Sequence, residues 1–92
     1  MYQVEYSQKV LDYLTSASKE NEKIFEALQN LEDNPLGNSK LLGYPAIGKY
    51  YIEADDKHGI LFNVDEENEL IQIKSVRRLS YIEGLIRKKH DK

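Results

Sequence analysis

The chain of 92 residues contains no cysteine, so disulfides, zinc knuckles and thiol nucleophiles are excluded together. Proline and glycine are scarce, and both prolines with three of the five glycines fall in one stretch, Asn34 to Gly48. No apolar run approaches the roughly 20 residues that a membrane-spanning helix needs, which predicts no membrane partner. The opening "MYQVEYSQKV" has no basic segment followed by an apolar one, so no signal peptide and a cytoplasmic location are expected. A phosphate-cradling glycine loop, a nucleophile elbow and metal-ligand spacing are all missing, and no metal or cofactor is expected.

Hydrophobic residues make up 40% and charged residues 32%, the balance of a globular chain rather than a disordered one. This length predicts a single domain over 1–92, burying roughly 60–65% of its unfolded surface around one modest core. The net charge of −3 conceals an asymmetry. Residues 1–76 carry 7 Lys/Arg against 14 Asp/Glu, whereas Arg77, Arg78, Arg87, Lys88, Lys89 and Lys92 face only Glu83 and Asp91. The split fits a basic tail for an anionic partner, an intramolecular charge match, or solvated helix-end lysines.

Hydrophobic periodicity divides the chain into two halves. Alternation in "YQVEYS" predicts a short strand with Tyr2, Val4 and Tyr6 on one face. Ser7 is placed to cap a helix carrying Val10, Leu11 and Leu14. "TSAS" breaks that pattern, and Ser18 is expected to cap a second helix, with Glu22 following in its first turns. Ile24, Ala27, Leu28 and Leu31 form the stripe of that helix, which ends at Asn34 before Pro35. "NPLGNSKLLGYPAIG" reads as irregular. "KYYIEA", "GILFNV" and "ELIQIKSV" then read as strands separated by the turn compositions "DDKH" and "DEEN". Their connections are too short for crossover helices, so they form an antiparallel meander. A last amphipathic helix carries Leu79, Ile82, Leu85 and Ile86. The expected fold is α+β in the order β-α-α-β-β-β-α: a curved antiparallel sheet with helices packed on one face. The expected core joins Tyr2, Val4, Leu11, Leu14, Ile24, Leu28, Leu31, Ile60, Phe62, Ile71 and Ile73.

Candidate chemistry concentrates in "IKSVRRLSY", where a strand ends in two arginines with a tyrosine three residues on. Adjacent arginines at a strand end point to opposite faces or straddle the turn, so at least one is exposed. Its guanidinium fork matches a phosphate or carboxylate, unless an upstream carboxylate takes it as an ion pair. Tyr81 is either part of this site or a core aromatic with its hydroxyl at the surface. Lys40, Lys49 and His58 lie at the rims of neighbouring strands. "EADDKH" and "VDEENE" read as acidic hairpin turns rather than cation sites.

From Tyr2 to Tyr81 the chain resembles the RelE/ParE superfamily of toxins from type II toxin–antitoxin pairs. The resemblance rests on "YQVEYSQKVLDYL", "IFEALQNLEDNPLG", "KLLGYPAIGKYYI" and "GILFNVDEENELIQIKSVRRLSY", in the family's order and spacing. It implies a fold like the one above, neutralisation by a partner antitoxin and, in the RelE branch, metal-independent cleavage of mRNA on the ribosome. Carried over by position, Arg77, aided by Arg78, would stabilise the phosphoryl charge, and Tyr81 would orient the nucleotide or exchange a proton. Lys49 and Lys40 would contact phosphates, and His58 is a candidate for proton chemistry or a surface histidine in a turn. The family's further strand arginines are replaced here by Tyr51, Glu53 and Gly59. That leaves open the ParE branch, which inhibits DNA gyrase, and an attenuated homologue that only binds an antitoxin. The apolar stripe of the last helix implies a groove that an antitoxin helix could occupy in its place.

Overall fold

The computed structural model describes residues 2–15, 21–37 and 39–90. The elements are β1 (Gln3–Tyr6), α1 (Gln8–Thr15), α2 (Asn21–Asp33), β2 (Lys40–Tyr44), β3 (Gly48–Glu53), β4 (His58–Asp65), β5 (Leu70–Arg78) and α3 (Leu79–His90). They build a five-stranded sheet in the order β1-β5-β4-β3-β2. The expected α+β class, helical hairpin and meander are present. The expected break at "TSAS" and the Ser18 cap fall largely on residues outside those described.

Three details depart from expectation. The stretch from Asn34 to Gly48 contains a strand, β2, which pairs antiparallel with β3 through Lys40↔Tyr51 and Leu41↔Tyr50. Its pairing shifts at Gly43, whose φ of 83° belongs to the left-handed region that glycine enters without penalty. That glycine and the neighbouring prolines hide the strand from periodicity. Second, β1 pairs parallel with β5, from Gln3↔Leu70 to Tyr6↔Ile73, while β2 to β5 are antiparallel. Short connections force antiparallel pairing only between consecutive strands, and the helical hairpin releases β1 from that rule.

Third, the helices occupy both faces. Val10, Ile24, Ala27, Leu28 and Leu31 pack with Ile52, Ile60, Phe62, Ile71 and Ile73 on one face. On the other, Ile82 packs with Leu42, Tyr51 and Leu61, flanked by Leu79, Leu85 and Ile86. The physical reason is legible in β4, where Gly59, Ile60, Leu61 and Phe62 are consecutive and all buried. A strand apolar on both sides needs a cover on both sides. Leu11, expected in the core, is 41% exposed, and its neighbour Val10 is fully buried instead.

Ser7 joins these layers. Its hydroxyl oxygen accepts the Val10 N–H at 3.3 Å and donates to the Lys74 carbonyl at 2.8 Å. Lys74 is the extra residue of a bulge, because Leu61 faces Ser75 while the next residue, Phe62, faces Ile73. Ser7→Ala should therefore cost about 1–2 kcal/mol, the upper part of the usual capping range, since both bonds are lost. Urea unfolding of the variant beside the wild type measures it.

Candidate functional site

The bulge at Lys74 decides where the arginines go. Unbroken alternation from Ile71 and Ile73 would continue through Ser75 to Arg77 on the same face. The inserted residue shifts the phase, so Val76 stays opposite Ile60 on the α1/α2 side and Arg77 turns to the α3 side. Arg78 then pairs with His58, and Arg77 pairs with Gly59. The two guanidinium groups thus leave the strand on opposite faces at the same end of the sheet.

Gly59 has a steric reason to be glycine. A Cβ there would lie 2.5 Å from Ile82 Cδ1 and 3.2 Å from the Ile52 carbonyl oxygen, so a side chain would force the end of Ile82 out of its place beneath α3. Helix α3 begins directly after Arg78 and is pinned by the Leu79 N–H donating to the Lys57 carbonyl at 2.8 Å. Its first turn carries Tyr81 beneath Arg77, with the guanidinium carbon 4.8 Å from the ring centroid. Such a stack at an exposed position contributes about 0.5–1 kcal/mol and restricts where the fork can point.

An open depression of about 680 Å³ is lined by Tyr13, His58, Val76, Arg77, Arg78, Ser80 and Tyr81. Four of the six residues singled out from the sequence, Arg77, Arg78, Tyr81 and His58, meet here. Both arginines are exposed, and neither forms an ion pair among the described residues. The carboxylates that could have neutralised them are engaged elsewhere: Glu53 with Lys40 at 3.5 Å, and Asp55 with His58 at 3.1 Å. The depression is therefore cationic within an acidic chain.

Lys40 and Lys49 do not join it. Lys40 sits across β3, paired to Glu53, and borders a separate depression of about 630 Å³ with Lys23, Glu26 and Asp33. Lys49 lies beside Asn63, whose side-chain oxygen accepts its backbone N–H at 2.6 Å. That is four residues along β4 from the Arg77 partner Gly59, about 13 Å at the usual strand rise. The Lys49 ammonium instead lies 5.8 Å from the Tyr50 ring centroid.

Asp55, Tyr13 and Ser80 were missed as site residues. Asp55 Oδ1 accepts the backbone N–H groups of Lys57 at 2.8 Å and His58 at 2.6 Å, closing the β3–β4 turn. Both its oxygens also lie 3.1 Å from His58 Nδ1. Burial works to raise the Asp55 pKa, but the Lys57 and His58 bonds outweigh it and hold the carboxyl below its ordinary value. Tyr13 comes from α1, its ring edge-on to His58 with centroids 6.3 Å apart. The signal available beforehand was Asp55 three residues before His58, a spacing at which a turn carboxylate reaches an imidazole.

A strand-end arginine pair beside a helix-borne tyrosine, on a sheet with helices on both faces, forms a cationic surface at one end of the sheet. No family model and no curated protein matches the chain. Solved structures do. A chain of the toxin–antitoxin complex RelBE2 from Mycobacterium tuberculosis is similar with a TM-score of 0.63 at 20% identity, covering 84% of this chain and 96% of that one. A chain of the archaeal RelE–RelB complex from Pyrococcus horikoshii gives 0.64 at 18% identity, covering 84% and 93%. The protein thus has the fold found in RelE-type toxin–antitoxin complexes. Among its described residues, no helix is long and apolar enough to cross a membrane.

Proposed function

We propose that this chain is the toxin of a type II toxin–antitoxin pair and that its Arg77 depression cleaves mRNA on the ribosome. The observation that carries this is the convergence of Arg77, Arg78, Tyr81 and His58 around one open depression, with both guanidinium groups free of carboxylate partners among the described residues. The fold shared with chains of two toxin–antitoxin complexes supports the toxin class and an antitoxin partner. In the reaction a ribose 2′-hydroxyl attacks the adjacent phosphorus and the 5′-oxygen departs. The Arg77 fork meets the phosphoryl oxygens as charge builds on them, Arg78 adds a second cation from the opposite face, and Tyr81 offers a ring for the nucleotide to stack on. A cytoplasmic site of action follows from a ribosomal target.

One observation favours a second reading. In the row of paired residues through Arg77, the neighbours are Gly59 and Glu53, so the row holds one cation and one anion. A toxin that inhibits a protein such as DNA gyrase needs no phosphate cradle in that row. Induced expression followed by genome-wide mapping of mRNA 5′ ends separates the two. New ends within translated messages, carrying 5′-hydroxyls, are expected. Growth arrest with unchanged mRNA ends and inhibited gyrase supports the second reading instead.

A further inference from the structure

We propose that His58 and Asp55 are the proton-transfer pair of this depression, with His58 as the catalytic base and Asp55 as its positioning residue. The inference rests on the ribonuclease function proposed above. Imidazole is the side chain whose proton affinity suits exchange near neutral pH, provided one nitrogen is an open acceptor. Here Nδ1 is held by the Asp55 carboxylate, 3.1 Å from each oxygen. An ionised carboxylate only accepts, so Nδ1 carries the proton and Nε2 the lone pair. Asp55 remains ionised at neutral pH, because the Lys57 and His58 N–H groups stabilise its charge.

Nε2 has no hydrogen-bond partner among the described residues, and it is not a sealed, unsatisfied atom. The His58 side chain is 16% exposed and Asp55 11%, so the pair is largely shielded, and His58 borders the depression. The groups against the imidazole are Asp55 from the turn, Arg78 opposite it in β5 and Tyr13 from α1, while Arg77, Ser80 and Tyr81 line the same depression. Asp55 is the one carboxylate among them.

Nε2 takes the 2′-hydroxyl proton as the O2′–P bond forms. The P–O5′ bond breaks, and the departing 5′-oxygen takes a proton from water. The products are a 2′,3′-cyclic phosphate and a 5′-hydroxyl, and the imidazolium returns its proton to solvent.

Cleavage of ribosome-bound mRNA by the purified protein, followed from pH 5 to 8 with a melting curve for each variant, tests the pair. His58→Gln should slow cleavage by about 100-fold or more and abolish the acidic limb of the pH–rate profile. Asp55→Asn keeps an oxygen to close the turn but loses the charge. It should slow cleavage about tenfold and move the acidic limb to lower pH, because the imidazolium loses its counter-ion. His90→Gln, which removes the other histidine of the chain, should leave the limb unchanged. Should His58→Gln fail to fold, the shift of the Asp55→Asn limb decides. Wild-type cleavage that survives His58→Gln, or an Asp55→Asn profile that loses amplitude without moving, overturns the pair while the ribonuclease function stands. A wild-type protein that cuts no message overturns both.

Discussion

On the proposed ribonuclease function, Arg77→Ala should slow mRNA cleavage at least tenfold, about 1.4 kcal/mol of transition-state stabilisation, with little change in the melting curve. Arg77 is exposed and forms no ion pair among the described residues. Its structural contact is the stack on Tyr81 at 4.8 Å, so folding should lose no more than about 1 kcal/mol. Arg77→Lys should rescue only partly, because a point charge cannot reproduce two parallel donors. Growth arrest, cleavage rate and melting temperature of the same variant form the measurement. Lost stability with unchanged toxicity per folded molecule would show the arginine to be scaffolding.

Phe62→Ala should cost about 3–5 kcal/mol and leave little folded protein at 37 °C. A domain of this length has roughly 5–14 kcal/mol of stability in total. Phe62 is fully buried at the centre of β4 and stacks on Tyr50 with ring centroids 5.9 Å apart. Leu11→Ala is the matched control. Leu11 is 41% exposed, so its truncation should cost less than about 1.5 kcal/mol. Urea midpoints of the two variants measure the difference; equal losses would place the core elsewhere.

The contrast between Phe62 and Leu11 marks how far hydrophobic pattern reaches. Of the residues assigned to the core, Ile24, Leu28, Leu31, Ile60, Phe62, Ile71 and Ile73 are buried together, with Tyr2, Val4 and Leu14 packed against them. Leu11 failed because an eight-residue helix is too short for its stripe to distinguish adjacent apolar positions. Strand β2 was illegible because Gly43, Pro45 and Gly48 carry turn composition, and here they serve a bulge and a hairpin within the sheet. The run "ILF" of β4, which cannot alternate, shows that both faces of the strand need cover, but not which element supplies it.

The candidate site divides in the same way. "RRLSY" already held both arginines and the tyrosine at a spacing that places the ring one turn into a helix. The Asp55–His58 contact depends on a turn only four residues long, and residue types alone do not report its side-chain directions. Lys49 lies apart from this cluster for a different reason. Distance along a sheet depends on register, and Lys49 pairs four residues away from the Arg77 row.

Composition and local pattern by themselves determined the α+β class, the helical hairpin, the meander and the cationic strand end, because each depends on period, turn chemistry or neighbours within a few residues. Only the tertiary structure decided the parallel place of β1, the position of α3 on the second face, and the face from which Arg77 emerges. The last depends on one inserted residue, Lys74, whose carbonyl is held by Ser7 from 67 positions earlier in the chain. A bulge reverses every side chain beyond it, and what stabilises this one is a contact between segments that meet only when the chain has folded.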